Sequence, residues 1–472
     1  MRKTKIVCTL GPATDNYTTL KKLIRAGMNV ARLNLSHGNR EEHMRRVEMV
    51  KKARAELGMP VAILLDTRGP EIRIKTFKSG KVELVEDETF TLTVKEIEGD
   101  VTRVSVTYPE FVKHVKKGDS VLLNDGLIEL KVEEVFNEDV LCRVVTGGVL
   151  TDRKSINLPG VDIDMPYLSD ADRADIKFAV EIDADYLALS FVRSADDVRQ
   201  VKSLIALCGG EGIQLISKIE NRQGVNNAQA ILDLSDGIMV ARGDMGVEIP
   251  FEELPYIQKE LIKTCYRSGK KVITATQMLE SMINNSRPTR AEISDVANAI
   301  YDGTSAIMLS GETAAGKYPV ESVKVMAKIA EKTEGSIDFK KRFHNHEYKI
   351  QNVTDAVSHS TVAAAFDLNA KAIIAVSQSG YTARKVSRFR PECVIIATCT
   401  SEKVFNQLAL NWGVLPTMAA LQKTPDELYR HAIICALNTG AVKEGDLAVL
   451  TGGSEVNKAG FSNTMRIEYL HY

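Results

Sequence analysis

Apolar positions along this chain follow two alternating rhythms. Short runs of aliphatic and β-branched residues are each succeeded by a longer segment whose apolar positions recur at helical spacing. The first pairs are a strand over 3–10 with a helix over 17–26, and a strand over 29–35 with a helix over 40–57. A third strand, 61–66, runs into Thr67, Arg68, Gly69 and Pro70, and there the helical rhythm stops. From 81 to 158 short β runs are broken at Gly80, Gly99, Gly118, Asn124 to Gly126 and Gly147, which predicts a small all-β insertion.

The rhythm resumes with a helix over 169–182, capped by Ser169, and with strands over 185–191, 214–219, 237–241, 271–276 and 305–309. Helices follow at 195–207, 226–234, 256–267, 289–301 and 320–333. Counted across the insertion there are eight strand–helix units, which predicts an α/β fold built on a closed (β/α)8 barrel. A polar stretch over 340–346 reads as a linker. Beyond it a second α/β pattern has helices over 353–366 and 382–389, strands over 372–376 and 394–398, and a β pair near 447–450 and 464–469. The expected organisation is a barrel from 1–69 and 167–336, a small β lid domain over 70–166, and a C-terminal α/β domain over 337–472.

A length of 472 residues is more than one compact core holds and agrees with these three units. A net charge of −1 provides no basic field for nucleic acid. No apolar stretch approaches bilayer-spanning length, so a soluble, cytoplasmic protein without a membrane partner is expected. The seven cysteines are scattered and form no C-x-x-C pair, the pattern of reduced core thiols rather than of a zinc site or disulfide framework.

In a barrel of this type, reactive groups gather at the C-terminal strand ends. Those ends carry Arg32, Asn34, Ser36 and His37; Asp66, Thr67 and Arg68, with Arg73 shortly beyond; Ser190 and Arg193; Lys218 and Glu220; Arg242, Gly243 and Asp244; Thr276 and Gln277; and Ser310 to Glu312. Polar helix-flanking loops account for one or two of these, not for seven strands in succession. Glu220 and Asp244 are hard oxygen donors suited to Mg²⁺ or Mn²⁺, although either alone would more simply pair with an arginine. Lys218 lies two residues before Glu220 and shares its face, because strand side chains alternate with period two. An ammonium beside a metal compensates charge on a transferring phosphoryl group. Arg32 and Arg73 add phosphate-binding forks, and Asn34, Ser36 and Asp66 are oxygen ligands suited to a monovalent cation. His37 has no thiol or serine arrangement of catalytic type near it in sequence, which favours a binding or capping role.

Six segments carry a resemblance to one family: MNVARLNLSHG (28–38), LDTRGPEIR (65–73), ISKIEN (216–221), ARGDMGVE (241–248), ATQML (275–279) and MLSGET (308–313). In order and content they resemble pyruvate kinase, and the likeness runs from residue 3 to about 333 and more loosely to the C-terminus. The resemblance implies phosphoryl transfer from phosphoenolpyruvate to ADP, giving pyruvate and ATP. It implies Mg²⁺ on Glu220 and Asp244, and a substrate carboxylate at Gly243 and Asp244. Lys218 would stabilise the transferring phosphoryl and the enolate, with phosphate groups on Arg32 and Arg73. Asn34, His37 and Lys154 would contact the nucleotide, Arg73 lying beside them. Thr276 belongs to the route that protonates the enolate, where a hydroxyl serves better to position than to act as an acid. Asn34, Ser36, Asp66 and Thr67 match the family's K⁺ site, and Glu71 marks the members that need K⁺. The β insertion would close as a lid and exclude water.

In the C-terminal part Ser377, Gln378, Ser379, Gly380, Tyr381 and Thr382 follow a strand and open a helix. They resemble the effector phosphate loop of regulated members; an ordinary βα turn would look the same. The tail 451–465 aligns with the family's effector lid but lacks its glycine- and proline-rich form, and the sole tryptophan, Trp412, lies elsewhere. AMP or ribose 5-phosphate is thus as good a candidate effector as fructose 1,6-bisphosphate. The family is usually a homotetramer. Two other readings stand beside this one: a different metal-dependent barrel enzyme acting on phosphoenolpyruvate or pyruvate without ADP, and a catalytically silent sugar-phosphate sensor.

Overall fold

The computed structural model describes residues 1–455 and 460–471. Eight parallel strands close into a barrel: β1 (Lys5–Thr9), β2 (Val30–Asn34), β3 (Ala62–Asp66), β4 (Tyr186–Leu189), β5 (Gln214–Ile219), β6 (Gly237–Ala241), β7 (Lys271–Ala275) and β8 (Ala306–Leu309). Each is buried nearly throughout because both faces are covered, which is why its sequence reads as a continuous apolar run. Alternate residues such as Val7, Leu64, Ile216 and Met239 fill the barrel interior, while their neighbours Ile6, Leu65, Leu215 and Ile238 pack under the surrounding helices. Ser169 caps its helix as expected, in a capping box with Asp172.

Between β3 and β4 the chain forms a seven-stranded sheet and a two-stranded ribbon, the all-β insertion. It carries its own core around Phe90, Phe111, Leu130 and Val140. The returning segment is tied to the barrel by Arg193, whose Nη1 and Nη2 donate to Ile163 O at 2.8 Å and Met165 O at 2.6 Å. The insertion also touches the mouth, where Asn157 Nδ2 donates to Glu248 Oε1 at 2.7 Å.

The C-terminal part is a five-stranded sheet packed on the opposite, N-terminal face of the barrel. Leu410 enters the interior cluster, and the Tyr186 hydroxyl donates to Gln407 O at 2.5 Å, so a C-terminal turn closes the barrel floor. This part departs from the expected pattern at three places. The stretch taken as a linker is helical over Phe339–His344, because Phe339 and Phe343 fall on one helical face and bury together in the C-terminal core. The strand Val414–Met418 went unread; Pro416 interrupts its apolar run, as is tolerated on the sheet edge it occupies. The helix Pro425–Asn438 also went unread, although Thr424, Pro425 and Glu427 spell a capping box with proline at its first turn. The effector-lid tail 451–465 is described only outside 456–459.

Candidate active site

Inward positions at the C-terminal strand ends converge on one ionic cluster. Asp66, at the end of β3, is fully buried; its Oδ2 accepts from Arg32 Nε at 2.7 Å and its Oδ1 faces Lys218 Nζ at 3.2 Å. Burial opposes ionisation of Asp66, but Arg32 and Lys218 outweigh it and hold the carboxyl below its usual range. Lys218 also donates to Ser190 Oγ at 2.8 Å and lies 2.9 Å from Glu220 Oε1. Burial disfavours its ammonium, yet Asp66, Glu220 and Asp244 together keep the proton on it more firmly than usual. Arg32 Nη1 donates to Thr9 Oγ1 at 2.9 Å, which draws β1 into the arrangement.

Glu220 Oε2 accepts from Phe191 N at 2.6 Å, while its buried Oε1 meets only the Lys218 ammonium, at 2.9 Å. Burial pushes the carboxyl up to about 8; Lys218 opposes this and Asp244 adds to it. A buried carboxylate oxygen met by one ammonium and by no neutral donor, beside a second carboxylate, fits a hard divalent cation that binds through one or two protein oxygens.

Asp244 stands in the first turn of the short helix Arg242–Glu248 that follows β6. That helix is anchored to the end of β7. Gly243 N donates to Thr276 Oγ1 at 2.8 Å, and Thr276 Oγ1 donates to Ala275 O at 2.6 Å. Arg242 pairs with Asp295 at 2.7 Å and donates to Thr276 O at 2.5 Å. Thr276 and Gln277 have φ of 67° and 52°, a left-handed backbone unusual for a β-branched residue and sustained here by these contacts. Thr276 therefore holds the mouth helix in place.

The expected monovalent-cation ligands are adjacent. Asn34 and Asp66 are register partners across β2 and β3, and Thr67 follows directly. Their oxygens already have donors: Ser36 N to Asn34 Oδ1 at 3.1 Å, and Ser190 Oγ to Thr67 O at 2.6 Å and to Asp66 Oδ1 at 3.2 Å. Gly69 makes this junction possible, since at φ 73° a Cβ there would sit 2.8 Å from Ser190 O.

Arg73 stands apart from the ionic cluster, on the first strand of the insertion. Its guanidinium donates to Glu71 Oε2 at 2.7 and 2.9 Å and to Arg153 O at 2.7 Å. The backbone beside it pairs with the strand following Lys154, with Ile74 N donating to Lys154 O at 2.9 Å. Burial raises the Glu71 carboxyl, Arg73 opposes this, and Asp244 and Asp125 add to it, which puts the Glu71–Arg73 pair within electrostatic reach of the mouth. His37 is exposed, and its carbonyl meets His43 Nε2 at 2.8 Å. Glu312, at the end of β8, turns away to accept from Leu279 N and Ser310 N.

Two contributors, Thr9 and Asp295, were absent from the groups drawn from the sequence, and Ser190 was placed at the mouth without a role. Ser190 was visible at a strand end but carries no charge to mark it; Thr9 ends a strand from which no polar group was taken; Asp295 lies within a helix, where only tertiary packing brings it to Arg242.

The loop from Ser377 to Thr382 joins the strand Ala372–Val376 to the helix Tyr381–Ser387. Ser377, Gln378 and Thr382 line a cleft with Thr398, Thr400 and Gly453. Gly380 has φ 72°, and Thr382 Oγ1 shares a 2.7 Å hydrogen bond with Ser462 Oγ.

Residues 1–323 match the family model of the pyruvate kinase barrel domain, and 355–468 that of the pyruvate kinase alpha/beta domain. A pyruvate kinase from Staphylococcus saprophyticus is 47% identical, the match covering 99% of this chain and 80% of that protein. One from Clostridium acetobutylicum is 46% identical over 99% of both chains. The crystal structure of a pyruvate kinase from Cryptosporidium parvum superposes with a TM-score of 0.94 at 38% identity, covering 100% of this chain and 96% of the other. A closed barrel with a charged mouth, matched by both family models over most of its length, places the chain in the pyruvate kinase family of phosphotransferases.

Proposed function

We propose that the mouth transfers the phosphoryl group of phosphoenolpyruvate to ADP, giving pyruvate and ATP in the last step of glycolysis. The observation that supports this most strongly is Lys218, a buried ammonium kept charged among Asp66, Ser190 and Glu220. Such a group needs no reorganisation to meet negative charge developing on a phosphoryl oxygen and an enolate. Arg32, held by Asp66 and Thr9, and Arg73, held by Glu71, bind phosphate groups from the barrel and lid sides. Gly243 and Asp244 orient the substrate carboxylate, and Thr276 fixes their helix and the approach of a proton to the enolate. Asn34, His37, Arg73 and Lys154 receive the nucleotide. Glu220 and Asp244 would hold Mg²⁺ or Mn²⁺, which supplies charge compensation to the phosphoryl oxygens when bound. Asn34, Ser36, Asp66 and Thr67 would hold K⁺.

In this reading 1–69 with 167–336 is the catalytic barrel, 70–166 the lid that excludes water, and 337–472 a regulatory domain in a cytoplasmic homotetramer. Ser377, Gln378, Ser379, Gly380, Tyr381 and Thr382 would take the phosphate of an activating effector, whether AMP, ribose 5-phosphate or fructose 1,6-bisphosphate. Pyruvate formation from phosphoenolpyruvate and ADP with Mg²⁺, with and without K⁺ and each effector, tests it. Strict ADP dependence with K⁺ stimulation is expected; pyruvate release without ADP, or none under any condition, would refute it.

A further inference from the structure

The barrel floor holds a second concentration of cations that the mouth chemistry does not use. Between β7, β8 and the helix Tyr381–Ser387 lies a small cavity lined by Lys271, Arg384, Arg388 and Arg390, with Tyr266 and Trp412 among its walls. No carboxylate lines it among the described residues. The acids nearest the cluster are committed. Asp236 accepts from Leu215 N at 2.9 Å, and Glu334 accepts from Lys3 N and Thr4 N at 2.8 and 2.6 Å. Asp355 pairs with Lys385 at 2.9 Å and Arg388 Nη1 at 3.4 Å.

Arg390 is 5% exposed. Its Nη2 donates to Gly303 O and Ser305 Oγ at 3.0 and 3.1 Å, and its guanidinium stands 4.6 Å from the Trp412 ring centre. Its Nε and Nη1 are buried and meet no acceptor, and neither does Nε of Arg388, which is 8% exposed. Charged donors left unmet in the interior are costly, so a fold that gathers several around one cavity calls for an acceptor there. Burial pushes Arg390 down to about 10 and Lys271 down to about 7, the direction taken by cations short of counter-charge.

We infer that this cavity binds an oxyanion of the phosphate class, which ties the barrel floor to the C-terminal helix. Guanidinium N–H groups pair with phosphate oxygens, and the Nε and Nη1 of Arg390 are two such donors, each open by itself because Nη2 is already engaged. The anion is either free phosphate or the phosphate end of a larger molecule entering through the adjoining wider cleft, which shares Lys270 and Arg388 and adds Arg267, Lys349 and Lys385. Arg384 Nη1 also donates to Ser379 O at 2.9 Å, so an anion on Arg384 bears directly on the 377–382 loop.

Thermal unfolding of the full chain in inorganic phosphate, against chloride at equal ionic strength, tests the site without reference to turnover. The wild type should show a saturable rise in Tm of about 2 °C or more. Arg390→Gln and Lys271→Met should lose at least half of that rise, while Lys113→Gln, an exposed residue of the insertion, should keep most of it. Should Arg390→Gln fail to fold, Lys271→Met carries the comparison. No rise in the wild type, or equal rises in the wild type and the floor variants, would overturn the proposal. With ribose 5-phosphate as a second probe, a larger rise that depends on the same residues identifies the phosphate end of a larger molecule; an equal rise identifies the free ion.

Discussion

The two ends of this barrel treat buried cations in opposite ways. At the mouth, Lys218 and Arg32 share Asp66 and Glu220, so every buried positive charge has a negative one within 3.2 Å. At the floor, Lys271 and Arg390 have no such partner; Lys271 donates to the neutral Gln214 Oε1 at 2.7 Å. Burial pushes Lys271 down to about 7 but fails to do so for Lys218. The difference is one of counter-charge rather than of depth, since both lysines are nearly inaccessible. A paired cation is fixed in place before substrate arrives, which suits catalysis. An unpaired one draws its counter-charge from a bound anion in the reading inferred for the floor.

The largest break in this comparison is Lys218→Met. Turnover should fall by about 10³-fold or more, with the fold retained in circular dichroism because Arg32 still neutralises Asp66. Near-normal kcat would remove Lys218 from the mechanism. Asp66→Asn comes next. It strips both cations of their shared partner, and unfolding titration should show a loss of about 3 kcal/mol alongside reduced activity. An unchanged midpoint would mean that the pairing contributes nothing to stability.

The floor sharpens the contrast through pH. Unfolded lysines hold their protons to about 10.4, whereas Lys5 and Lys271 release theirs near 7 in the folded chain. Between those values the unfolded state binds more protons, so their burial penalty, present in full below pH 7, is relieved as pH rises. Tm should climb from pH 7 toward 10 relative to Lys271→Met, by about 2 kcal/mol in stability once competing titrations are subtracted; parallel profiles would contradict the shift. The smallest effect belongs to Asn157→Ala. Losing the bond from the insertion to Glu248 should cost under about 1 kcal/mol and raise KM more than it lowers kcat. Unaltered KM would show that this contact does not govern access to the mouth.

Period-two alternation made Lys218 and Glu220 legible together, and successive strand ends made the mouth legible as a place, because both follow from local backbone geometry. The partnership of Asp66 with Arg32 and Lys218 was not legible. Asp66 read as a cation ligand, and the register of three strands turns it into a shared counter-ion, whichever further ligand it takes. Likewise Pro416 hid an edge strand, and the linker reading of 340–346 missed that Phe339 and Phe343 bury in the C-terminal core.

The sequence by itself determined the eight strand–helix units, the inserted β segment, the second α/β pattern and the family, because hydrophobic period and motif order are properties of the chain read in one direction. Only the tertiary structure decided which charges are compensated. Asp66 reaches Lys218 across 152 positions of sequence, and the Arg390 guanidinium meets Gly303 and no acid. Such distances depend on barrel closure and on the docking of the C-terminal sheet beneath it. Coulomb energies follow separation in space and burial, and neither is written along the chain.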